Sequence, residues 1–242
     1  DYDVIKRGPW SLRVNANASR NINKVEVLPA NYTQEKYTFG NGNYAMRIVE
    51  GQPIGAFYGY RYKGVYQNTN ETYAKDAAGN VMYDVNGKPI TMRNGSTLVY
   101  PGDAKYEDVN KDGVINEKDI VYLGNANPKL IFGGGFSLKW KDLSLTTVFY
   151  GRLGQKVINS ARMNLENMYG KNNQSTAVLN RWRSEGDQTD IPRALYGMGY
   201  NYLGSDRFVE DASFMRLKNL TISYSFPESL LSKVGFIKRS EE

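Results

Sequence analysis

Three observations predict an all-β fold for this chain: an antiparallel transmembrane β-barrel segment that makes up only part of a barrel and carries long loops containing short helices. Its long strands have one apolar and one polar face. No stretch approaches the 18 consecutive apolar residues of a helical span. Its short and long connections also fall at opposite ends of the strands.

The clearest element is 129–151, KLIFGGGFSLKWKDLSLTTVFYG. Phe132, Gly134, Phe136, Leu138 and Trp140 share one face of the first strand. Lys129, Gly133, Gly135, Ser137 and Lys139 share the other, with Ile131 as the exception. In the second strand Leu143, Leu145, Thr147 and Phe149 face together. Each strand is about ten residues long, near the ~9–11 that a tilted strand needs to cross a bilayer. Trp140 and Tyr150 stand at strand ends, where an amphipathic ring suits the membrane–water interface. A soluble hairpin from a β-sandwich is the alternative for these residues taken alone.

Composition narrows the function classes. The chain has 242 residues, 40% hydrophobic and 23% charged, with 19 Tyr, 24 Gly and no Cys, and a mean hydropathy of −0.57. Barrel strands dilute apolar residues with lumen-facing polar ones, so low mean hydropathy is compatible with a membrane wall. A formal charge of +6 comes without a Lys/Arg block and argues against nucleic-acid binding. No His is present, which removes Ser-His-Asp and Cys-His sites, HExxH zinc sites and histidine general bases together. GNGN at 40–43 and GRLG at 151–154 match no phosphate loop. No carboxylate pair stands out for glycoside hydrolysis, so the chain reads as a non-enzyme.

In chain order, KRGP at 6–9 predicts a short turn. From Trp10 the residues Trp10, Leu12, Val14, Ala16 and Ala18 alternate with Ser11, Arg13, Asn15, Asn17 and Ser19, predicting a wall strand that continues through Lys24–Leu28. Residues 29–128 lack a membrane-crossing pattern. Their Gly- and Asn-rich pieces (GNGN, DAAGN at 76–80, DVNGK at 84–88) and the aromatic GQPIGAFYGYRYKGVYQ at 51–67 predict an ordered loop with short strands of its own.

Within that loop lies Asp108–Asp119, DVNKDGVINEKD. Asp108, Asn110 and Asp112 occupy positions 1, 3 and 5 of a calcium-loop pattern, and Gly113 permits the sharp turn at position 6. The Val114 carbonyl, Asn116 and Asp119 follow at positions 7, 9 and 12. A hard cation takes about 6–8 oxygens, which this spacing supplies. Asp119 replaces the usual Glu, as in dockerin-like loops. The expectation is a structural Ca²⁺ held by Asp108, Asn110, Asp112, Val114, Asn116 and Asp119; the alternative is a polar turn that binds nothing.

Residues 152–212 predict a second long loop. Val157, Ala161, Leu165 and Met168 recur at helical spacing in GQKVINSARMNLENMYG at 154–170, with Ile158 beside them, and Ala177–Arg183 predicts another short helical piece. SEGDQTDIPR and LYGMGYNYLGSD are loop-like. Leu220, Ile222, Tyr224 and Phe226 then alternate with Asn219, Thr221, Ser223 and Ser225, giving a wall strand over 212–226. Pro227 ends it, and a turn or helical piece is expected over 227–235. The wall strands are thus 10–28, 129–140, 142–151 and 212–226.

Antiparallel neighbours send alternate connections to opposite ends. The short ones (6–9, 141–142, 227–235) fall on one rim, and the long ones (29–128, 152–212) on the other. Outer-membrane barrels show short periplasmic turns and long extracellular loops in this way. Closing a barrel takes at least about eight strands, so these strands form part of a larger one.

Four segments resemble the C-terminal part of the SusC/RagA family of TonB-dependent outer-membrane transporters of Bacteroidetes: GQPIGAFYGYRYKGVY at 51–66, GDAKYEDVNKDGVINEKDIVYLGNANPKLIFGGGFSLKWKDLSL at 102–145, RWRSEGDQTDIPRA at 181–194 and VEDASFMRLKNLTISYSFP at 209–227. The resemblance implies a 22-stranded barrel with an N-terminal plug, in the outer membrane of a Gram-negative cell. It implies nutrient import of oligosaccharides or peptides, a SusD-like surface lipoprotein as lid, and energy from TonB through an N-terminal part. Outer-membrane lipid would face the wall. Gly51, Gly55, Tyr58, Gly59 and Tyr60 match a motif of the family, for which turns and packing are expected more than ligand contact. The rival reading is a secreted β-rich carbohydrate-binding or adhesion module with a dockerin-like calcium loop.

Overall fold

The computed structural model describes residues 2–34 and 36–227. By internal packing the chain divides into two compact units. One takes the residues up to Ile22, Pro128–Gln155 and the residues from Ala212 onward; the other takes Asn23–Asn127 and Lys156–Asp211.

The first unit is a single five-stranded antiparallel sheet: β1 (Tyr2–Arg7), β2 (Trp10–Ser19), β3 (Leu130–Trp140), β4 (Leu143–Leu153) and β5 (Phe214–Tyr224). Spatial order follows chain order. Eleven residues of strand rise about 35 Å, and a tilt near 45° reduces that to about 25 Å, the height of the apolar band of an outer-membrane barrel.

The short connections lie together on one rim. Gly8 (φ 58°) turns the chain before Pro9, and Lys141 (φ 50°) opens the two-residue link between β3 and β4. The Lys141 N–H donates to the Pro9 carbonyl at 2.9 Å, and the Ser225 N–H to the Asp142 carbonyl at 2.8 Å. The turn or helical piece expected over 227–235 lies, beyond Pro227, outside the described residues.

Three features of the sheet differ from the sequence expectation. β1 is a strand where only the turn at 6–9 is foreseen, because a register shift between Asp3 and Ile5 breaks its alternation. β2 stops at Ser19. The expected continuation through Lys24–Leu28 leaves the sheet, and Val25 instead exchanges backbone hydrogen bonds with Gly51 and Gln52. β5 carries a bulge: Val148 faces Asn219 while Phe149 faces Leu217, leaving Lys218 as an extra residue.

The second unit is a tyrosine-rich body of short strands. Ala56–Gly59 pairs with Val121–Asn125, Tyr62–Val65 with Ala104–Tyr106, and Lys156–Ile158 with Val209–Asp211. Arg93–Asn94 lies between Thr97–Leu98 and Val114–Ile115. Its core holds Tyr58, Tyr60, Tyr66, Tyr106, Val99, Ile115 and Leu203. Phe39 meets Tyr60 edge-on at 6.1 Å. The helical periodicity of 154–170 becomes strand at Lys156–Ile158 and α-helix at Ser160–Glu166; the piece at 177–183 is a 3-10 turn at Thr176–Asn180.

DAAGN and DVNGK prove to be two copies of one device. Asp76 Oδ1 accepts from the N–H groups of Ala78 and Asn80, and Asp84 Oδ1 from those of Asn86 and Lys88. Each is an Asx-stabilised turn. Between them the chain folds back and forth, with backbone bonds from Ala74 to Ile90, Met82 to Ala74 and Ile90 to Met82.

Candidate functional site

Strand pairing converts the period-2 pattern into continuous rows. Ile5, Leu12, Leu138, Leu145 and Ile222 align across all five strands, as do Tyr2, Val14, Phe136, Thr147 and Leu220. Trp10, Trp140, Leu143 and Tyr224 form the row at the short-turn rim, and Ala18, Phe132, Gly151 and Met215 the row toward the other end. The Thr147 hydroxyl on this face is satisfied locally, since Thr147 Oγ1 lies 3.3 Å from the Phe136 nitrogen and 3.4 Å from its carbonyl oxygen. Gly151 has a specific reason to be glycine: the Phe132 ring occupies the space that a Cβ would need.

The opposite face carries Asp3, Arg13, Ser137, Thr146 and Thr221 in one row, and Asn17, Gly133, Tyr150 and Arg216 in another. Arg13 Nε meets Asp3 Oδ1 at 2.9 Å, and Ser137 Oγ meets Thr146 Oγ1 at 3.2 Å. Chemically this is a sheet with an oily side and a wet side. Ile222 on the oily side is 69% exposed and Leu220 55%, so nothing in the chain covers that face among the described residues. An open apolar surface of this extent marks contact with lipid or another protein.

In the second unit, the six expected calcium ligands lie in one tight loop. Gly113 takes φ 82° at the turn. Asp108 is buried and accepts from the N–H groups of Lys111 (2.7 Å) and Gly113 (2.8 Å). Asp119 is fully buried and accepts from those of Val109 and Asn116, both at 2.8 Å. Asn110 Nδ2 donates to Asp112 Oδ2 at 2.8 Å, Asp112 Oδ1 accepts from the Val114 N–H, and the Val114 carbonyl accepts from Asn116 Nδ2. The loop is therefore closed by its own polar atoms. Among the described residues, no three carboxylates converge as a group that could hold a metal ion. Burial pushes the Asp119 carboxyl up from its usual range; its hydrogen bonds from backbone N–H groups oppose this, and the Asp108 charge adds to it.

The motif glycines and tyrosines sit at packing positions. Gly51 and Gly55 take φ 82° and 84°. Gly59 abuts the Gly204 carbonyl, and Gly204 abuts that of Asn43, so neither backbone leaves room for a Cβ. Tyr58 and Tyr60 are core residues. Burial raises the Tyr60 hydroxyl pKa well beyond its ordinary value.

The sequence did not foresee the junction around Asp103. This buried carboxylate receives Arg193 Nε at 2.7 Å and Nη2 at 3.2 Å, the Tyr100 N–H at 2.8 Å and Asn201 Nδ2 at 3.4 Å. Asn201 Oδ1 accepts from the Ala104 N–H at 2.9 Å. Trp182 covers Gly102, where a Cβ would collide with its ring. GDAKY at 102–106 and RWRSEGDQTDIPRA at 181–194 are therefore two halves of one bidentate, charge-assisted clamp. The only sequence signal was the presence of both segments; nothing in either names the other.

No family model matches the chain. It is 30% identical over 223 residues to TonB-dependent receptor P3 of Formosa agariphila, covering 90% of this chain and 20% of that protein. It is 31% identical over 196 residues to TonB-dependent receptor P26 of the same organism, covering 81% and 18%. The chain thus spans about a fifth of the length of the curated relatives it matches. In fold it is similar to the RagAB peptide importer in the closed-closed state, with a TM-score of 0.62 at 24% identity over 95% of this chain and 22% of that one. The open-open state gives 0.57 at 22% identity, again over 95% of this chain. With the two-faced antiparallel sheet, these likenesses support the resemblance to a C-terminal, SusC/RagA-like portion of a TonB-dependent receptor.

Proposed function

We propose that the chain supplies part of the wall and the extracellular loops of an outer-membrane importer driven by TonB, with a SusD-like surface lipoprotein as its lid and oligosaccharides or peptides as cargo. One observation carries this reading: a five-stranded sheet of membrane-crossing length whose apolar face is left open. Lipid on that face and water on the other reconcile the exposure of Leu220 and Ile222 with that of Asn219 and Thr221. The tyrosine-rich unit is then the outer part of the receptor, built from the segments joining β2 to β3 and β4 to β5.

The chain has no cysteine, so single cysteines report cleanly. In the full receptor in intact outer membranes, cysteines at 220 and 222 should react with a lipid-phase maleimide and resist a charged one; cysteines at 219 and 221 should do the reverse. Equal labelling of both pairs by the charged reagent would favour the secreted module instead.

We also propose that Asp108–Asp119 takes a structural Ca²⁺. The set is all oxygen, which suits a hard cation, and the buried Asp108 and Asp119 charges disfavour one another without one. Calcium titration that yields neither heat nor added thermal stability would remove this proposal.

A further inference from the structure

The wet face of the sheet carries an unbalanced patch of charge at the end away from the short turns. Tyr150 and Arg216 share one row there, and Arg152 and Phe214 the next. The Tyr150 and Phe214 rings lie 6.0 Å apart. Three cations surround them. Arg152 Nε donates to the Tyr150 hydroxyl at 2.6 Å, and the Lys218 ammonium stands 5.4 Å from the centroid of the same ring. The Arg216 guanidinium lies 4.5 Å from the Phe214 centroid. Arg152, Arg216 and Lys218 are all exposed.

Among the described residues none of these three cations is ion-paired, whereas Lys6 and Arg13 of the same sheet share Asp3. Their charge meets only ring faces, a weaker counterpart than a carboxylate. Apart from Arg152 Nε, none of their side-chain N–H groups has an acceptor among the described residues. A guanidinium offers five such groups and an ammonium three, so most of the donors here are unspent.

The cations are spread along the strands rather than gathered. From the row of Arg152 to Lys218 is about 10 Å of strand. A fixed carboxylate is held by converging donors, as at Asp103, where two nitrogens of one guanidinium meet both oxygens. A series of unspent donors along a wall suits instead an anionic group that moves past it. We propose that this face of β4 and β5 binds small anionic solutes, a sulfate, phosphate or carboxylate group being held in turn by Arg152, Arg216 and Lys218. A cationic solute is repelled there, and a neutral one gains nothing from the charge. As a statement about cargo, the inference rests on the transport reading; as a statement about anion binding, it does not.

The test uses the full receptor in detergent, with one reporter cysteine at a time and no other. Ile131→Cys places it opposite Arg152 on the same face; Thr146→Cys places it in the row of Asp3 and Arg13, where charge is balanced. Each is modified with an anionic (sulfonatoethyl) and a cationic (trimethylammonioethyl) methanethiosulfonate. The ratio of anionic to cationic rate at 131 should exceed that at 146 by at least about ten-fold. Arg216→Gln with Lys218→Gln, both at exposed positions, should remove most of that excess. At constant ionic strength, inorganic sulfate in place of chloride should slow the anionic reagent at 131 saturably. Equal ratios at the two positions, a ratio unchanged in the double variant, or sulfate that acts no differently from chloride would each overturn the proposal. Equal ratios would also mean that a carboxylate from elsewhere in the receptor already neutralises the cluster. Labelling at 219–222 reads which face is wet and not its charge, so failure here leaves the transport reading standing.

Discussion

Trp10 and Trp140 stand opposite one another on β2 and β3, with ring centroids 5.7 Å apart and planes tilted by 32°. Leu143 and Tyr224 continue their row, and the short turns lie just beyond it. Paired indoles at a strand-end rim belong in the interfacial girdle of a barrel. In a double-mutant cycle to alanine, read by denaturant unfolding in bilayers, the two rings should couple by about 0.5–1.5 kcal/mol. Additive losses would show that each ring acts alone.

The two faces of β5 should respond oppositely to charge. Arginine at the bilayer midplane of a barrel's lipid face costs about 2–4 kcal/mol. Leu220→Arg is expected to lose that much stability, whereas Thr221→Arg on the wet face should be near neutral. Unfolding midpoints of the two variants in lipid check the assignment directly.

Asp119 should give the loop region a pH dependence of definite sign. Its carboxyl holds a proton to higher pH when folded than when unfolded. Between the ordinary value of 3.8 and the raised one, the folded state therefore binds more protons. Stability from this group falls as pH rises through that window and is regained on acidification. Other carboxylates, such as Glu107 with its lowered pKa, slope the opposite way, so the measurement is the difference between wild type and Asp119→Asn in thermal melts. If the loop takes calcium, adding it should favour the ionised form and flatten or reverse that difference.

Breaking the Asp103–Arg193 clamp should loosen the second unit locally. Arg193→Met leaves a buried carboxylate without its cation. Breaking a fully buried pair costs about 3–5 kcal/mol, and the Arg193 side chain is 32% exposed, which reduces the expected loss to about 2 kcal/mol. Arg193→Lys should recover only part, because an ammonium cannot reproduce the two parallel bonds. Hydrogen exchange at the Tyr100 and Ala104 amides, both bonded within this junction, is the readout.

The wall was legible because alternation is a local signal: each residue of 130–140 or 143–153 declares its face by its neighbours. The bulges were not, since Val4 and Lys218 carry no mark that distinguishes an extra residue from a paired one. In the second unit, DAAGN and DVNGK could be read as turns, yet their stacking depends on Ala74, Met82 and Ile90 exchanging backbone bonds. The contacts that organise this unit join positions far apart in sequence, Gly59 with Gly204 and Asp103 with Arg193. A single sequence names the residues of such contacts without pairing them. The calcium-like spacing was visible; that Asp108 and Asp119 would spend their oxygens on backbone N–H groups was not.

The bulge at Lys218 gives β5 a spatial reading frame. In an unbroken strand, Lys218 and Arg216 would follow Leu220 onto the oily side; with the bulge, Arg216 faces Tyr150 and the Lys218 ammonium lies 5.4 Å from that ring's centroid. Losing the codon for Lys218 would restore a regular ladder with Leu217 and Met215 still turned to the oily side. Losing the codon for Thr221 instead would turn every side chain on one flank of the deletion inside out. Gene-length drift of one triplet is thus silent at one position of this strand and ruinous three positions away.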